Sequence, residues 1–181
     1  EIAIDAAKAS DMVMAFANLM RYSIYYGSTI VPLQTDIEYI NDYLLLQKMR
    51  YNRRLNYHID IPEELMGCKI PKLLLQPVVE NSLVHGMKDI RSIAINISAW
   101  KEKGQLKLCV EDNGSGIREE KLEELRKGLE REDVYREHIG LYNSHRVVRL
   151  LYGPESGMTI ESSPGNGTKV TVTLPADMEE I

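Results

Sequence analysis

The sequence predicts an α+β fold: a two-layer α/β sandwich preceded by an α-helical hairpin segment. Apolar residues keep a helical spacing across residues 1–50. From Leu55 onward they switch between period-two runs and 3.6-residue runs, the pattern of a sheet that carries helices on one face. A chain of 181 residues with 44% hydrophobic content also has enough apolar surface for a real core.

The first element is a helix. Ile2, Ala6, Ala9, Val13, Phe16 and Met20 recur in alternating steps of four and three, a coiled-coil-like seam that implies a partner helix. Gly27 supplies its stop. Thr35-Asp36-Ile37-Glu38 has the form of a capping box, so a second helix is expected to start there and bury Ile37, Ile40 and Leu44. A break near Arg50 to Arg54 divides a helical segment, 1–50, from an α/β domain, 51–181. Leu55, Tyr57, Ile59 and Ile61 mark a strand ended by Pro62, and Pro71 to His85 reads as a buried helix. Ile93, Ile95 and Ile97, then Leu106, Leu108 and Val110, mark two strands joined by a Lys103-Gly104 turn. Arg118 to Glu137 is dominated by charged side chains and reads as a solvated helix within a mobile connection. A helix resumes at Gly140, with Val147, Leu150 and Leu151 expected inward. Met158 and Ile160, then Val170, Val172 and Leu174, close the sheet as a hairpin about Pro164-Gly165-Asn166-Gly167.

Composition excludes several classes of function. The net charge of −5, with scattered Lys and Arg, leaves no electrostatic footprint for a nucleic-acid backbone. No apolar run approaches the roughly 20 residues that span a bilayer. Cys68 and Cys109 lack neighbours at metal-ligand spacing, against a zinc site or a disulfide framework and in keeping with a reducing, cytosolic setting. The chain opens at Glu1 inside a helical pattern, so it is expected to be a piece of a longer protein.

Four stretches in fixed order carry the chemistry: Val79-Glu80-Asn81-Ser82-Leu83-Val84-His85-Gly86, Glu111-Asp112-Asn113-Gly114-Ser115-Gly116-Ile117, Ile139-Gly140-Leu141, and Gly165-Asn166-Gly167-Thr168. The Asn81 amide oxygen suits Mg²⁺, ligating it without placing another negative charge beside phosphates. Glu80 offers a carboxylate able to orient or deprotonate an attacking group, although by residue type it equally reads as a solvated helix glutamate. His85, one turn beyond Asn81, offers a ring N–H to a phosphate oxygen or serves as a structural histidine. Asp112 ends a strand just before Gly114-x-Gly116, where the backbone can turn tightly against a ligand; a plain inter-strand turn is the alternative. Gly140-Leu141 opens a helix whose free amides and dipole favour phosphate.

The order and spacing of these stretches resemble the N, G1, G2 and G3 boxes of the GHKL nucleotide-binding superfamily. The sharper resemblance is to LytS/YesM-type sensor histidine kinases, visible also in Leu19-Met20-Arg21-Tyr22-Ser23, Tyr43-Leu44-Leu45-Leu46-Gln47 and Ile70 to Asn81. It runs from about Met12 to Pro175. It implies a Bergerat-type ATP-binding fold that binds ATP and Mg²⁺, with Asn81 as metal ligand, His85 on phosphate, and Asp112 accepting the adenine amine. It also implies Ile117 on the base, Gly140 and Leu141 at the β- and γ-phosphates, Thr168 near Asp112, and the charged stretch as the ATP lid.

Two positions depart from the group's pattern: Val84 where many relatives carry Lys, and His138 where a first G2 glycine is usual. The phosphoacceptor of the group lies in an Asn-Pro-His-Phe type motif upstream of Leu19. None of the four histidines here (His58, His85, His138, His145) fits that place. The resemblance therefore implies the catalytic part of a bacterial cell-membrane sensor kinase, in the cytoplasm, dimeric through its N-terminal helices and passing phosphate to a response regulator. Membrane contact would come only through upstream segments. The alternative is a non-catalytic or degenerate GHKL module that binds nucleotide and dimerises.

Overall fold

The computed structural model describes residues 6–25, 27–87, 90–130 and 139–176. Helix α1 (Ala6–Tyr25) and helix α2 (Leu33–Tyr51) form the N-terminal hairpin, separated by a short strand β1 (Ile30–Pro32). Strand β2 (Leu55–Asp60) follows, then β3 (Lys69–Pro71), α3 (Gln76–Asn81) and a π-helical turn over Ser82–Gly86. Strands β4 (Ile93–Glu102) and β5 (Gln105–Asp112), helices α4 (Glu119–Glu130) and α5 (Ile139–Tyr152), and strands β6 (Gly157–Ser162) and β7 (Thr168–Pro175) complete the chain. A five-stranded sheet runs in the order β2-β4-β5-β7-β6, parallel only between β2 and β4, and β1 pairs with β3 in a separate antiparallel ribbon.

Alternation explains which face is covered. In β4 the residues Ile93, Ile95, Ile97 and Ala99 are buried and their neighbours are more open, and β7 repeats this with Val170, Val172 and Leu174. One hydrophobic cluster joins these side chains to the helices. Lys103 and Gly104 both take positive φ in the β4–β5 turn, as a two-residue hairpin loop needs. Cys109 points away from the cluster but is covered by its cross-strand neighbours Ser98 and Thr171.

Helix α2 differs from its expected form. It starts at Leu33, and its first amides are satisfied by backbone rather than by the Thr35 hydroxyl: Leu33 N–H donates to the Cys68 carbonyl at 2.8 Å and Gln34 N–H to Met66 at 3.0 Å. Asp36 turns inward instead. Fully buried, its carboxylate accepts from Leu73 N–H (2.7 Å), Leu75 N–H (3.3 Å) and the Tyr22 hydroxyl (3.0 Å). Asp36 thus fastens the entry to α3, where Leu73 takes the left-handed conformation, and ties it to α1. Burial raises its pKa to about 6 against the pull of those donors. Leu33, Ile37, Ile40 and Leu44 belong to the same cluster as the sheet, so α2, grouped by sequence with the segment 1–50, packs as part of the α/β body.

Three further expectations are revised. The helix read from Pro71 begins at Gln76, because Pro71 is the last residue of β3, paired with Ile30. Helix α4 is not purely solvated: Leu122 and Leu125 are buried, and the Arg126 guanidinium donates to the Ile160 carbonyl from Nε (3.1 Å) and Nη2 (2.9 Å). On α5 the buried residues are Leu141, His145 and Val148, whereas Val147, Leu150 and Leu151 are exposed. His145 earns its inward place by accepting the Met158 N–H on Nδ1 at 2.9 Å, and burial lowers its pKa. On α1, Ala15 and Tyr22 are buried while Val13, Phe16 and Met20 of the predicted seam are exposed; Ile2 and His138 lie outside the described residues.

Candidate functional site

Most of the candidate residues converge on one cavity between α3, the ends of β5 and β7, and the α4–α5 pair. Asn81, His85, Asp112, Gly116, Ile117, Leu141 and Thr168 all line it.

Its best-fastened side is the one around Asp112. Asp112 ends β5 directly opposite Thr168 on β7 and is 4% exposed. Its Oδ1 accepts the Gly114 N–H at 2.9 Å. Burial raises its pKa, while the Ser82 hydroxyl and the amides of Gly114 and Thr168 pull it back. A carboxylate so held is a fixed acceptor at the cavity wall. The loops around it interlock: Ser115 N–H donates to the Gly86 carbonyl (3.0 Å), Gly165 N–H to Ser115 (2.8 Å), and Ile117 N–H to Ser162 Oγ (2.9 Å). Ser162 Oγ in turn donates to the Gly167 carbonyl at 2.6 Å and lies 3.0 Å from Thr168 Oγ1. Three glycines are required here, and at Gly116, with φ +68°, a Cβ would lie 1.9 Å from the Ser163 carbonyl oxygen. A Cβ on Gly114 would lie 2.5 Å from the Gly86 Cα, and one on Gly167, at φ +76°, would lie 1.8 Å from the Asp112 carbonyl oxygen.

The helical wall comes from α3 and the π turn. Asn81 Nδ2 donates to the Pro77 carbonyl at 2.8 Å, which fixes the amide; Oδ1 is the atom of this side chain with the chemistry to ligate a cation. The wider π turn keeps His85 on the cavity side, and such turns frequently mark functional sites. At the start of α5, Leu141 reaches the cavity while Gly140 lies behind it: a Cβ at 140 would be 2.8 Å from Pro77 Cβ. The glycine is therefore demanded by helix packing.

Glu80 is placed apart from the others. It does not line the cavity but lies on the α2 flank of α3, where its Oε1 accepts from Gln76 Nε2 at 2.7 Å. Six lining residues were not among the candidates read from sequence: Val78, Ser82, Gly86, Leu125, Ile160 and Val170. The position of Ser82, one residue past Asn81, and the i,i+3 pair Leu122 and Leu125 inside a charged helix were the available signals.

The donor set suits Mg²⁺ in its substrate-bound form. Among the described residues no group of three or more His, Cys, Asp or Glu could hold a metal, and Asn81 supplies one neutral oxygen. A cation held by one protein oxygen, phosphates and waters needs no more.

Known proteins similar to this chain are histidine kinases and related ATPases. Residues 69–178 match the family model of histidine kinase-, DNA gyrase B- and HSP90-like ATPases, and residues 1–55 match a histidine kinase model. The chain is 34% identical over 173 residues to the sensor histidine kinase YesM of Bacillus subtilis (strain 168), covering 95% of this chain and 28% of that protein. It is 29% identical over 174 residues to the sensor protein kinase HptS of Staphylococcus aureus (strain USA300), covering 96% and 33%. The chain thus spans a third or less of the length of these relatives. Among solved structures, the histidine kinase domain of a blue-light activated histidine kinase from Erythrobacter litoralis superposes with a TM-score of 0.58 at 20% identity, over 93% of this chain and 75% of that one. The catalytic domain of histidine kinase ThkA gives 0.60 at 14% identity, over 82% and 96%. Both share the fold.

Proposed function

This chain belongs to the family of histidine kinase-, DNA gyrase B- and HSP90-like ATPases, and from that premise we propose that it is the ATP-binding catalytic domain of a bacterial two-component sensor histidine kinase. The observation that carries the reading is the convergence of Asn81, His85, Asp112 and Thr168 on one cavity. Asp112 accepts the exocyclic amine of adenine, an edge on which guanine presents a carbonyl. Ile117 packs on the base, and Thr168 supports Asp112 from the neighbouring strand. Asn81 Oδ1 holds Mg²⁺, and His85 with the Gly140-Leu141 helix start faces the phosphates. The metal, when bound, neutralises the charge that would repel a nucleophile.

In the reaction, a ring nitrogen of the acceptor histidine bonds to the γ-phosphorus as the bridging P–O bond breaks. ADP leaves with the electron pair, and the imidazole proton is lost to a base, for which Glu80 is the candidate on α3. The acceptor histidine lies on a segment upstream of this chain, and a response regulator takes the phosphoryl group onward. The exposed Val13, Phe16 and Met20 of α1 support association with a second copy through the N-terminal helices. No described helix is long and apolar enough to cross a membrane; in this reading the domain is the cytoplasmic part of a cell-membrane kinase.

The test is calorimetric titration with a non-hydrolysable ATP analogue, with and without Mg²⁺, and with GTP. Micromolar, Mg²⁺-dependent binding selective for adenine is expected. Asn81→Ala should abolish the Mg²⁺ dependence and Asp112→Ala the preference for adenine; unchanged binding in both sinks the site assignment. The position of Glu80 off the cavity and the exposed Val84 favour a second reading, a module that binds nucleotide without transferring phosphate. Nucleotide binding without phosphorylation of a histidine acceptor would establish it.

A further inference from the structure

Glu80 is held from the α2 side of α3 by a short chain of polar side chains that also reaches α1. The Tyr39 hydroxyl on α2 donates to Gln76 Oε1 at 3.1 Å, and Gln76 Nε2 donates to Glu80 Oε1 at 2.7 Å. The carboxylate enforces the direction of this chain. A flipped Gln76 amide would set its carbonyl oxygen against the Glu80 carboxylate, so the donor end must face Glu80 and the acceptor end must take the phenol. Tyr39 is itself anchored, 8% exposed, with its ring centroid 5.0 Å from that of Tyr22 on α1. Burial raises the pKa of the Tyr39 phenol, with the hydroxyl of Ser23 on α1 and the charge of Glu80 also acting on it. Glu80 acts on Tyr43, one turn further along α2, as well; burial and that charge push this phenol up to about 12. Glu80 is not among the residues that line the cavity.

We propose that Tyr39 and Gln76 are positioning residues for Glu80, through which the α1–α2 hairpin sets the orientation of that carboxylate. The inference rests on the proposed kinase function, in which Glu80 receives the acceptor proton. Its physical basis is simple: Gln76 reaches Glu80 from the preceding turn of α3, and among the described residues Tyr39, on a different helix, fixes the Gln76 amide in turn. A movement of α2 relative to α3 lengthens the Tyr39 to Gln76 bond and frees the Glu80 side chain to adopt other rotamers.

The experiment is autophosphorylation of the full-length kinase at saturating Mg-ATP, with nucleotide affinity measured in parallel. Tyr39→Phe and Gln76→Met keep shape; the first removes the Tyr39 to Gln76 hydrogen bond and the second removes both bonds of the chain. Each is expected to lower kcat about tenfold while the dissociation constant for the ATP analogue stays within about twofold. Glu80→Gln is expected to lower kcat about a hundredfold or more, and in its background neither Tyr39→Phe nor Gln76→Met should lower it further. Unchanged kcat in both single variants, additive losses in the Glu80→Gln background, or weakened nucleotide binding in step with the rate would overturn the positioning role. Full activity of Glu80→Gln beside an inactive Asn81→Ala removes Glu80 from the chemistry and the inference with it. A parent kinase that neither binds ATP nor autophosphorylates overturns the proposed function itself.

Discussion

The two ends of the nucleotide cavity are built differently. Around Asp112 the walls are backbone: Ser115, Gly165 and Ile117 amides lock three loops together, and glycines at 114 and 167 let main chain approach main chain. On the α4–α5 side the cavity is closed by side chains, Leu125 and Leu141, carried on helices that meet where Gly128 receives the Tyr142 ring. Backbone interlocks have one arrangement, whereas packed side chains on two helices can slide and repack. The Asp112 end, to which the proposed function gives adenine, is therefore preformed, and the α4–α5 end is the one able to adjust to a ligand.

That contrast can be broken at its rigid end first. Gly167→Ala forces both a positive φ and an overlap with the Asp112 carbonyl, so a loss of about 3 kcal/mol or more is expected in urea unfolding, together with loss of ATP-analogue binding. On the adjustable side, Leu125→Ala removes a buried side chain but no backbone contact. It should cost about 2 to 3 kcal/mol, yet leave adenine selectivity over GTP intact in calorimetry, because Asp112 and Thr168 are held independently of α4.

A smaller effect tests the polar fastening of α3. Asp36 is raised from 3.8 to about 6 in the folded chain, so the folded state holds this proton more tightly than the unfolded state. Its contribution to stability is complete below pH 3.8 and is lost as the pH rises to about 6. Asp36→Asn should remove about 3 kcal/mol of pH dependence across that window, read from denaturant midpoints at several pH values. An unchanged slope would show that Asp36 does not titrate as described.

The strands were the most legible part of the sequence, because a half-covered sheet writes its burial directly as alternation, as in Ile93, Ile95 and Ile97. The short β1 and β3 were not, since three residues carry no period and their pairing joins distant positions. The capping-box pattern at Thr35 misled for a physical reason: backbone carbonyls at Met66 and Cys68 serve the α2 amides, and Asp36 is used at another helix. On α5, apolar type pointed to Val147, Leu150 and Leu151, but the buried phase is that of Leu141, His145 and Val148, set by a histidine whose nitrogen finds a buried amide. The site residues were legible through ordered motifs that fix backbone geometry, Asp112-x-Gly114-x-Gly116 above all. The flank occupied by Glu80 was not legible, because neighbours along a helix can face opposite partners.

The contact between Gly140 and Pro77 makes the start of α5 and the start of α3 a bearing surface, smooth on one side only because no side chain projects from it. A methyl group there would act as a wedge at the shared root of two helices, opening the cavity floor before any ligand arrived. Loss of nucleotide binding in Gly140→Ala would then record a spread scaffold, and only the distance between the two helices could distinguish it from a lost phosphate contact.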